Sequence, residues 1–194
     1  MSGTTRAQFL GRGAKGGLAL VAGGLVLGVA EGTAFGAMSS DTDIAKLAAT
    51  AELLAIDFYS KAIASKQLKN DELSYLVGAK ANEVAHYSAL KGVLGKATPK
   101  DLMFTYPKGS FSSRHSIGAL GQALETAFVG AYMGAVTALS SNDLKGVAAE
   151  IGACESRHLS VLTNIAANAV VPAPDLPKVL TATAATNALK PFLM

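Results

Sequence analysis

The stretches EVAHYSAL at residues 83–90 and ESRHLSVL at residues 155–162 share the pattern E-x-x-H-x-S-x-L. A spacing of three places each Glu and its His on the same face of a helix. Apolar residues surround both pairs at helical spacing, Leu76 and Ile151 among them. Both stretches are therefore predicted to be helices that point a carboxylate and an imidazole into an apolar core.

The helix before each stretch carries a second repeat. Glu52 and Tyr59 are seven residues apart, and so are Glu125 and Tyr132. Equivalent residues of the two copies are 73 positions apart for these glutamates and 72 apart for the E-x-x-H pairs. Such self-similarity indicates a duplicated helix hairpin, with the two copies related by a pseudo-twofold axis and each supplying half of one site.

Apolar periodicity and helix-end signals predict four helices. Asp41 or Asp43 is expected to cap the first helix, and Asn70 or Asp71 the second, which ends near Gly95. The predicted helices run from 41 to about 65, from 70 to about 95, from 116 to 139 and from 143 to 169. A chain rich in Ala and Leu, without Trp, fits this all-α class.

The connections between these helices predict the topology. Short links join the two helices of each hairpin, as they do between antiparallel neighbours. Residues 96–115 contain Pro99 and Pro107 and no helical period, and they are long enough to run back along the bundle. The prediction is a four-helix bundle over 38–170 in which a long crossover joins two hairpins. The tail, 171–194, could add a short helix packed on the outside.

The length and net charge of the chain limit which classes of protein it can belong to. A chain of 194 residues suits one domain. Much of the formal charge of +3 comes from residues 1–37, where Arg6, Arg12 and Lys15 stand against Glu31, leaving 14 basic and 13 acidic residues in the remainder. Residues 38–194 are so nearly neutral that they indicate no basic surface for binding nucleic acid.

Residues 1–37 have the layout of a signal peptide, in which a basic segment precedes the apolar stretch GGLALVAGGLVLGVA and the small residues GTAFGA. The segment TRAQFL resembles a twin-arginine signal, although Ala7 stands where that signal has its second Arg, so the general secretory route is an alternative. We expect cleavage between Ala34 and Ala37, whereas an uncut leader would tether the protein to a membrane. The predicted location is the periplasm, the cell envelope or the extracellular space.

Four glutamates and two histidines are predicted to meet in the core: Glu52, Glu83, His86, Glu125, Glu155 and His158. Burying even one unpaired carboxylate costs several kcal/mol, which a single core could not absorb four times. No Lys or Arg follows these helix faces closely enough to neutralise all four, whereas two divalent cations would do so, with the imidazoles completing the coordination. Surface glutamates beside satisfied core histidines are the alternative, and the duplication argues against it.

Cys154 and His115 lie outside this ligand set. Cys154 is the only cysteine, so no intramolecular disulfide or CxxC site can form. A small buried residue on a helix is favoured over a reactive thiol. His115, in the predicted linker, is interpreted as a solvated loop residue.

The order Glu, E-x-x-H, Glu, E-x-x-H over about residues 41–168 resembles the ferritin-like di-iron carboxylate superfamily, most closely its exported bacterial ferritin-like domain proteins. The resemblance implies that Glu52 and Glu125 are terminal ligands, that Glu83 and Glu155 bridge two metals, and that each histidine binds one metal. Tyr59 and Tyr132 are candidates for hydrogen bonds that hold these ligands, with aromatic core packing as the alternative. The metals would be two Fe ions, or alternatively Mn or a mixed Mn/Fe pair.

Related four-helix bundles catalyse several different reactions, so the resemblance alone leaves the activity open. The leading hypothesis is that ferrous iron is oxidised, or that dioxygen or peroxide is reduced, outside the cytoplasm. The absence of a CxxC electron-transfer module counts against an NADH-linked peroxidase. The alternatives are a metal-scavenging protein without turnover and a metal-free structural bundle. The expected partners are metal ions and dioxygen or peroxide, with a membrane contact only through an uncut leader, and a homo-oligomer is left open.

Overall fold

The computed structural model describes residues 20–22, 25–27, 40–170 and 176–194. Strands β1 (Leu20–Ala22) and β2 (Leu25–Leu27) pair antiparallel. Apart from these six residues, the predicted leader and its cleavage site lie outside the described residues. Within the described part of the chain, no helix is both long enough and apolar enough to cross a bilayer.

The first hairpin consists of helices α1 (Asp41–Ala64) and α2 (Asn70–Leu94). Ser40, not Asp41 or Asp43, caps α1, because its backbone is extended at the boundary and its Oγ accepts a hydrogen bond from the Asp43 amide at 3.2 Å. The predicted cap of α2 is also wrong, since Lys69 occupies that position without a side-chain bond. Gly95 ends α2 as predicted, with φ of 54°.

The second hairpin consists of α3 (Arg114–Ala138) and α4 (Asn142–Ala167). Ser113 caps α3 through a reciprocal bond with Ser116, and Ser141 caps α4 by accepting from the Leu144 amide at 3.3 Å. His115 therefore lies in the first turn of α3 and not in a loop, which corrects that part of the prediction, whereas its side chain is exposed as predicted. Its Nδ1 is 2.7 Å from the Ala166 carbonyl oxygen.

The crossover topology is confirmed by contacts between the hairpins. The Arg114 guanidinium, at the start of α3, donates to Glu72 at the start of α2, with Nε 2.8 Å from Oε1. It also donates to the Ile165 carbonyl near the end of α4 at 2.8 Å. Helices α2 and α3 therefore begin at the same end of the bundle, and the linker between them must run back along its length.

The C-terminal tail packs against the bundle. Helix α5 (Ala182–Leu189) contacts α1 and α3, and a 3₁₀ turn (Lys190–Phe192) follows it. Phe192 is buried, and its carbonyl accepts from the Thr105 amide of the crossover at 2.9 Å. The tail thus ties the crossover to the helical core.

Apolar side chains form two buried clusters, one toward each end of the bundle. One cluster includes Phe58, Ile117 and Leu162, and the other includes Ile44 and Leu94. On α2 and α4 the E-x-x-H residues lie between the stretches that feed the two clusters. The fold therefore places the polar residues in the middle of the core.

Candidate metal centre

One glutamate from each long helix is buried in the middle of the bundle. The side chains of Glu52, Glu83, Glu125 and Glu155 are between 0% and 2% exposed. Glutamate is almost never fully buried without a partner, because its carboxylate loses water that the core does not replace. Four such side chains in one core mark a site that the packing alone does not explain.

Four of the six predicted ligands converge most closely. Ligand atoms of Glu52, Glu83, His86 and Glu155 all lie within 4.8 Å of one another. His86 Nδ1 is at the centre of this group, 3.1 Å from Glu83 Oε2, 3.2 Å from Glu155 Oε1 and 3.3 Å from Glu52 Oε2. One ring nitrogen can donate only one proton, so three surrounding carboxylates leave a group of oxygens suited to a cation.

The other two predicted ligands lie beside this group. His158 is buried, and its Nε2 is 3.4 Å from Glu83 Oε1. Glu125 is fully buried, and its Oε1 is occupied by a hydrogen bond from the Tyr59 hydroxyl at 2.6 Å. Glu83 therefore has one oxygen near each histidine, so its carboxylate could contact two ions.

The two tyrosines of the repeat each donate a hydrogen bond to a glutamate of the other hairpin. Tyr59 on α1 donates to Glu125 on α3, and Tyr132 on α3 donates to Glu52 on α1. Each tyrosine thus holds the glutamate of the other hairpin and not the one seven residues before it. Both rings are also buried in the apolar clusters, so hydrogen bonding and core packing operate together.

The environment of His158 contains residues that the sequence did not single out. Its Nδ1 is 2.9 Å from the Tyr75 hydroxyl, and its Nε2 is 3.5 Å from Asn82 Nδ2 and 3.4 Å from Cys154 Sγ. Position 147, which is 72 residues after Tyr75, is Val147. Because the second copy has no matching tyrosine, comparing the repeats could not have found this contact.

The histidines are consequently not equivalent. His86 directs Nδ1 at three carboxylates, whereas His158 directs Nε2 toward Glu83 and bonds Tyr75 through Nδ1. Cys154 is buried, as expected of a helical core position, and its Sγ is 3.0 Å from the exposed Arg157 guanidinium. The pseudo-twofold repeat therefore supplies a site whose two halves have different neighbours.

Whether the buried carboxylate oxygens have hydrogen-bond partners indicates whether these residues suit metal ions. Among the described residues, five such oxygens are found, all on the four core glutamates. They are Glu52 Oε2, Glu83 Oε1, Glu125 Oε2, Glu155 Oε1 and Glu155 Oε2. Oxygen-rich sites with one or two imidazoles suit Fe, Mn and related divalent ions. The donor set therefore fits metal binding.

In the metal-free protein, burial and neighbouring charges shift the pKa values of several of these groups. Burial raises the pKa of Glu83 to about 10 and that of Glu125 to about 8, and burial followed by the charge of Glu125 raises the pKa of Glu155. Burial alone would lower the pKa of His86, but the carboxylates of Glu155, Glu52 and Glu83 next to its Nδ1 raise it. Burial, followed by the charge of His86, lowers the pKa of His158 to about 4. Metal binding must therefore displace protons.

We expect the metal-free protein to lose stability as the pH rises from 6.5 to 8. Unfolded glutamates have released their protons in this range, whereas folded Glu83 still retains its proton, and Glu125 does so up to a pKa of about 8. The folded state then binds more protons than the unfolded state, so the free energy of unfolding falls with pH, by about 1.4 kcal/mol per pH unit for each extra proton.

Melting temperatures of the metal-free protein at pH 6.5 and 8 measure this effect. The opposite contribution of His158 is confined to pH values below about 6.5, where the unfolded imidazole gains its proton. A bound divalent metal should reduce the change of melting temperature with pH, because the side chains that hold the metal are already deprotonated. A melting temperature that rises with pH in the metal-free protein would contradict the protonation scheme.

Comparison with known families agrees with the geometry. A family model for the ferritin-like domain matches residues 40–168, well over half of the chain. No curated protein sequence matches. The match covers all four long helices, and the Glu and His cluster fits a metal-binding bundle. The chain therefore belongs to the ferritin-like domain family.

Proposed function

We propose that the bundle binds two iron ions and catalyses the oxidation of ferrous iron by dioxygen or peroxide. The observation that carries this proposal is the set of five buried carboxylate oxygens without hydrogen-bond partners, four of which belong to Glu52, Glu83 and Glu155 of the group within 4.8 Å. Leaving such oxygens without a cation would be costly in a dry core. Manganese would suit the same ligands, and metal analysis of the purified protein distinguishes the two.

Each predicted ligand has a place in this proposal. Glu52 and His86 would bind one metal, and Glu125 and His158 the other. Glu83 and Glu155 would be shared. The support for sharing is that Glu83 has one oxygen near each histidine.

Two ferrous ions held by these residues would supply two electrons, one from each ion. Dioxygen that takes up two electrons and two protons gives hydrogen peroxide, and hydrogen peroxide that takes up two more of each gives two waters. The protein contributes the positions of the carboxylates, with Tyr59 and Tyr132 restraining Glu125 and Glu52. The surrounding apolar clusters exclude bulk water from the centre.

A second candidate is metal binding without turnover. It is favoured by the uneven convergence of the ligands, because only four of the six form a group within 4.8 Å. One ion at Glu52, Glu83, His86 and Glu155 would satisfy that group. A metal-free structural bundle is the third candidate, and the unpartnered oxygens argue against it.

We place this activity outside the cytoplasm. The support is the order of basic, apolar and small residues in 1–37, which is typical of an exported precursor. Comparing the N-terminus of the mature protein from its native cell with the printed sequence would test the proposal, because cleavage between Ala34 and Ala37 is expected. Retention of the whole leader by the cytoplasmic protein would contradict it.

Metal analysis combined with oxygen consumption tests the activity. We expect two metal ions per chain after reconstitution with ferrous iron under anaerobic conditions, and rapid oxygen uptake when dioxygen is admitted. One bound ion without uptake would support the scavenging alternative. Absence of bound metal would leave the structural bundle.

A further inference from the structure

A small apolar cavity lies next to the metal centre, between α1, α3 and α5. Its volume is about 40 Å³. All fourteen lining residues are aliphatic, aromatic or glycine, and Tyr132 is the only one with a polar side-chain group. That hydroxyl is directed to Glu52, so the cavity wall offers little to a polar ligand.

The cavity and the metal centre share a wall. Tyr132 lines the cavity with its ring and donates its hydroxyl to Glu52. Ala48, another lining residue, is one helical turn before Glu52 on α1. The cavity is therefore about one layer of side chains away from a predicted metal ligand.

The cavity also communicates with the surface. Its lining residues Ala48, Ala131 and Ala135 are partly exposed. Small alanine side chains on α1 and α3 leave the space that larger residues would fill, and α5 covers part of it through Ala185 and Leu189. A small molecule can therefore enter from solvent without unfolding a helix.

The size and polarity of the cavity determine which molecules can bind in it. A water-sized sphere needs about 10–15 Å³ of such space, so the cavity has room for about three water-sized spheres. A benzene ring is too large, since benzene occupies engineered cavities of about 150 Å³. Water and hydrogen peroxide would lose hydrogen bonds that an apolar wall does not replace. A diatomic apolar gas is small enough for the cavity and needs no hydrogen bonds from its wall.

We propose that this cavity binds dioxygen and supplies it to the metal centre past Tyr132. The inference rests on the proposed function and deepens it, because it selects dioxygen over peroxide as the oxidant that the fold accommodates. The route for peroxide, a polar molecule, must lie elsewhere.

Xenon tests the cavity without any metal. We expect crystals of the metal-free protein under xenon pressure to show a xenon atom between Ala131, Tyr132 and Leu189. Ala131→Leu should remove this atom by filling the space. Ala119→Leu, at a partly exposed position of the same helix that does not line the cavity, is the matched control and should retain it. Absence of xenon from the wild-type cavity would overturn the proposal.

Kinetics test the supply of dioxygen. In the iron-loaded protein, Ala131→Leu should raise the KM for dioxygen several-fold and lower the ratio of the dioxygen-driven to the peroxide-driven rate by a similar factor. Ala119→Leu should change neither. An unchanged KM, or equal losses with both oxidants, would overturn the proposal. If wild-type protein binds xenon in the cavity but oxidises no iron, the proposed function fails and the assignment of the cavity to an apolar gas stands.

Discussion

Replacing Glu83 by alanine is expected to abolish the binding of both metal ions. Glu83 has one oxygen 3.1 Å from His86 Nδ1 and the other 3.4 Å from His158 Nε2, so its removal takes a ligand from each half of the site. Losing a partner that only orients a ligand costs about 10–100-fold in metal affinity. Losing a shared ligand should therefore cost more than about 100-fold, measured by metal analysis after dialysis and by calorimetric titration.

Glu155→Ala should have the same effect, because both oxygens of Glu155 lack hydrogen-bond partners in the core. Tyr132→Phe is the matched control, since it removes only a hydrogen bond to Glu52 and keeps the buried ring. We expect this variant to bind two ions with a moderately lower affinity. Circular dichroism should show that all three variants remain helical. Two tightly bound ions in both glutamate variants would contradict the proposed ligand set.

Replacing Gly134 by alanine should destabilise the protein by displacing the C-terminal tail. A Cβ atom at this position would be 1.8 Å from the Leu180 carbonyl oxygen, which is far inside contact distance. The tail cannot move freely, because the Leu180 amide donates to the Gly130 carbonyl at 2.9 Å and its side chain is buried. Overpacking of this kind costs about 1–3 kcal/mol. For a chain of this size, the melting temperature should fall by about 2–4 °C per kcal/mol.

Gly78→Ala provides the control for helix propensity. Gly78 is on the exposed face of α2, and a Cβ atom there would meet nothing within 4 Å. Alanine favours a helix over glycine by about 1 kcal/mol, so this variant should be slightly more stable than the wild type. Thermal unfolding of the metal-free proteins measures both changes. Equal stability of Gly134→Ala and Gly78→Ala would show that the tail does not pack on α3 as described.

The sequence predicted the fold because the repeat is strong. E-x-x-H at two places, with a second glutamate one helix earlier in each copy, indicates four helices, two hairpins and an inward-facing acidic core. The helix ends were predicted within a few residues, whereas the caps of α1 and α2 were wrong. Capping depends on the backbone conformation of single residues, and several neighbouring Ser, Asp and Asn residues could serve equally well.

By itself, the sequence determined which residue types share a helix face, since that follows from their spacing along one chain. Only the tertiary structure decided which residues meet across helices. Tyr59 bonds Glu125, Tyr132 bonds Glu52, Tyr75 reaches His158, and the tail packs on Gly134. These contacts depend on how far each helix is shifted and rotated against its neighbour. Packing of the whole core sets those shifts and rotations, and no local pattern encodes them.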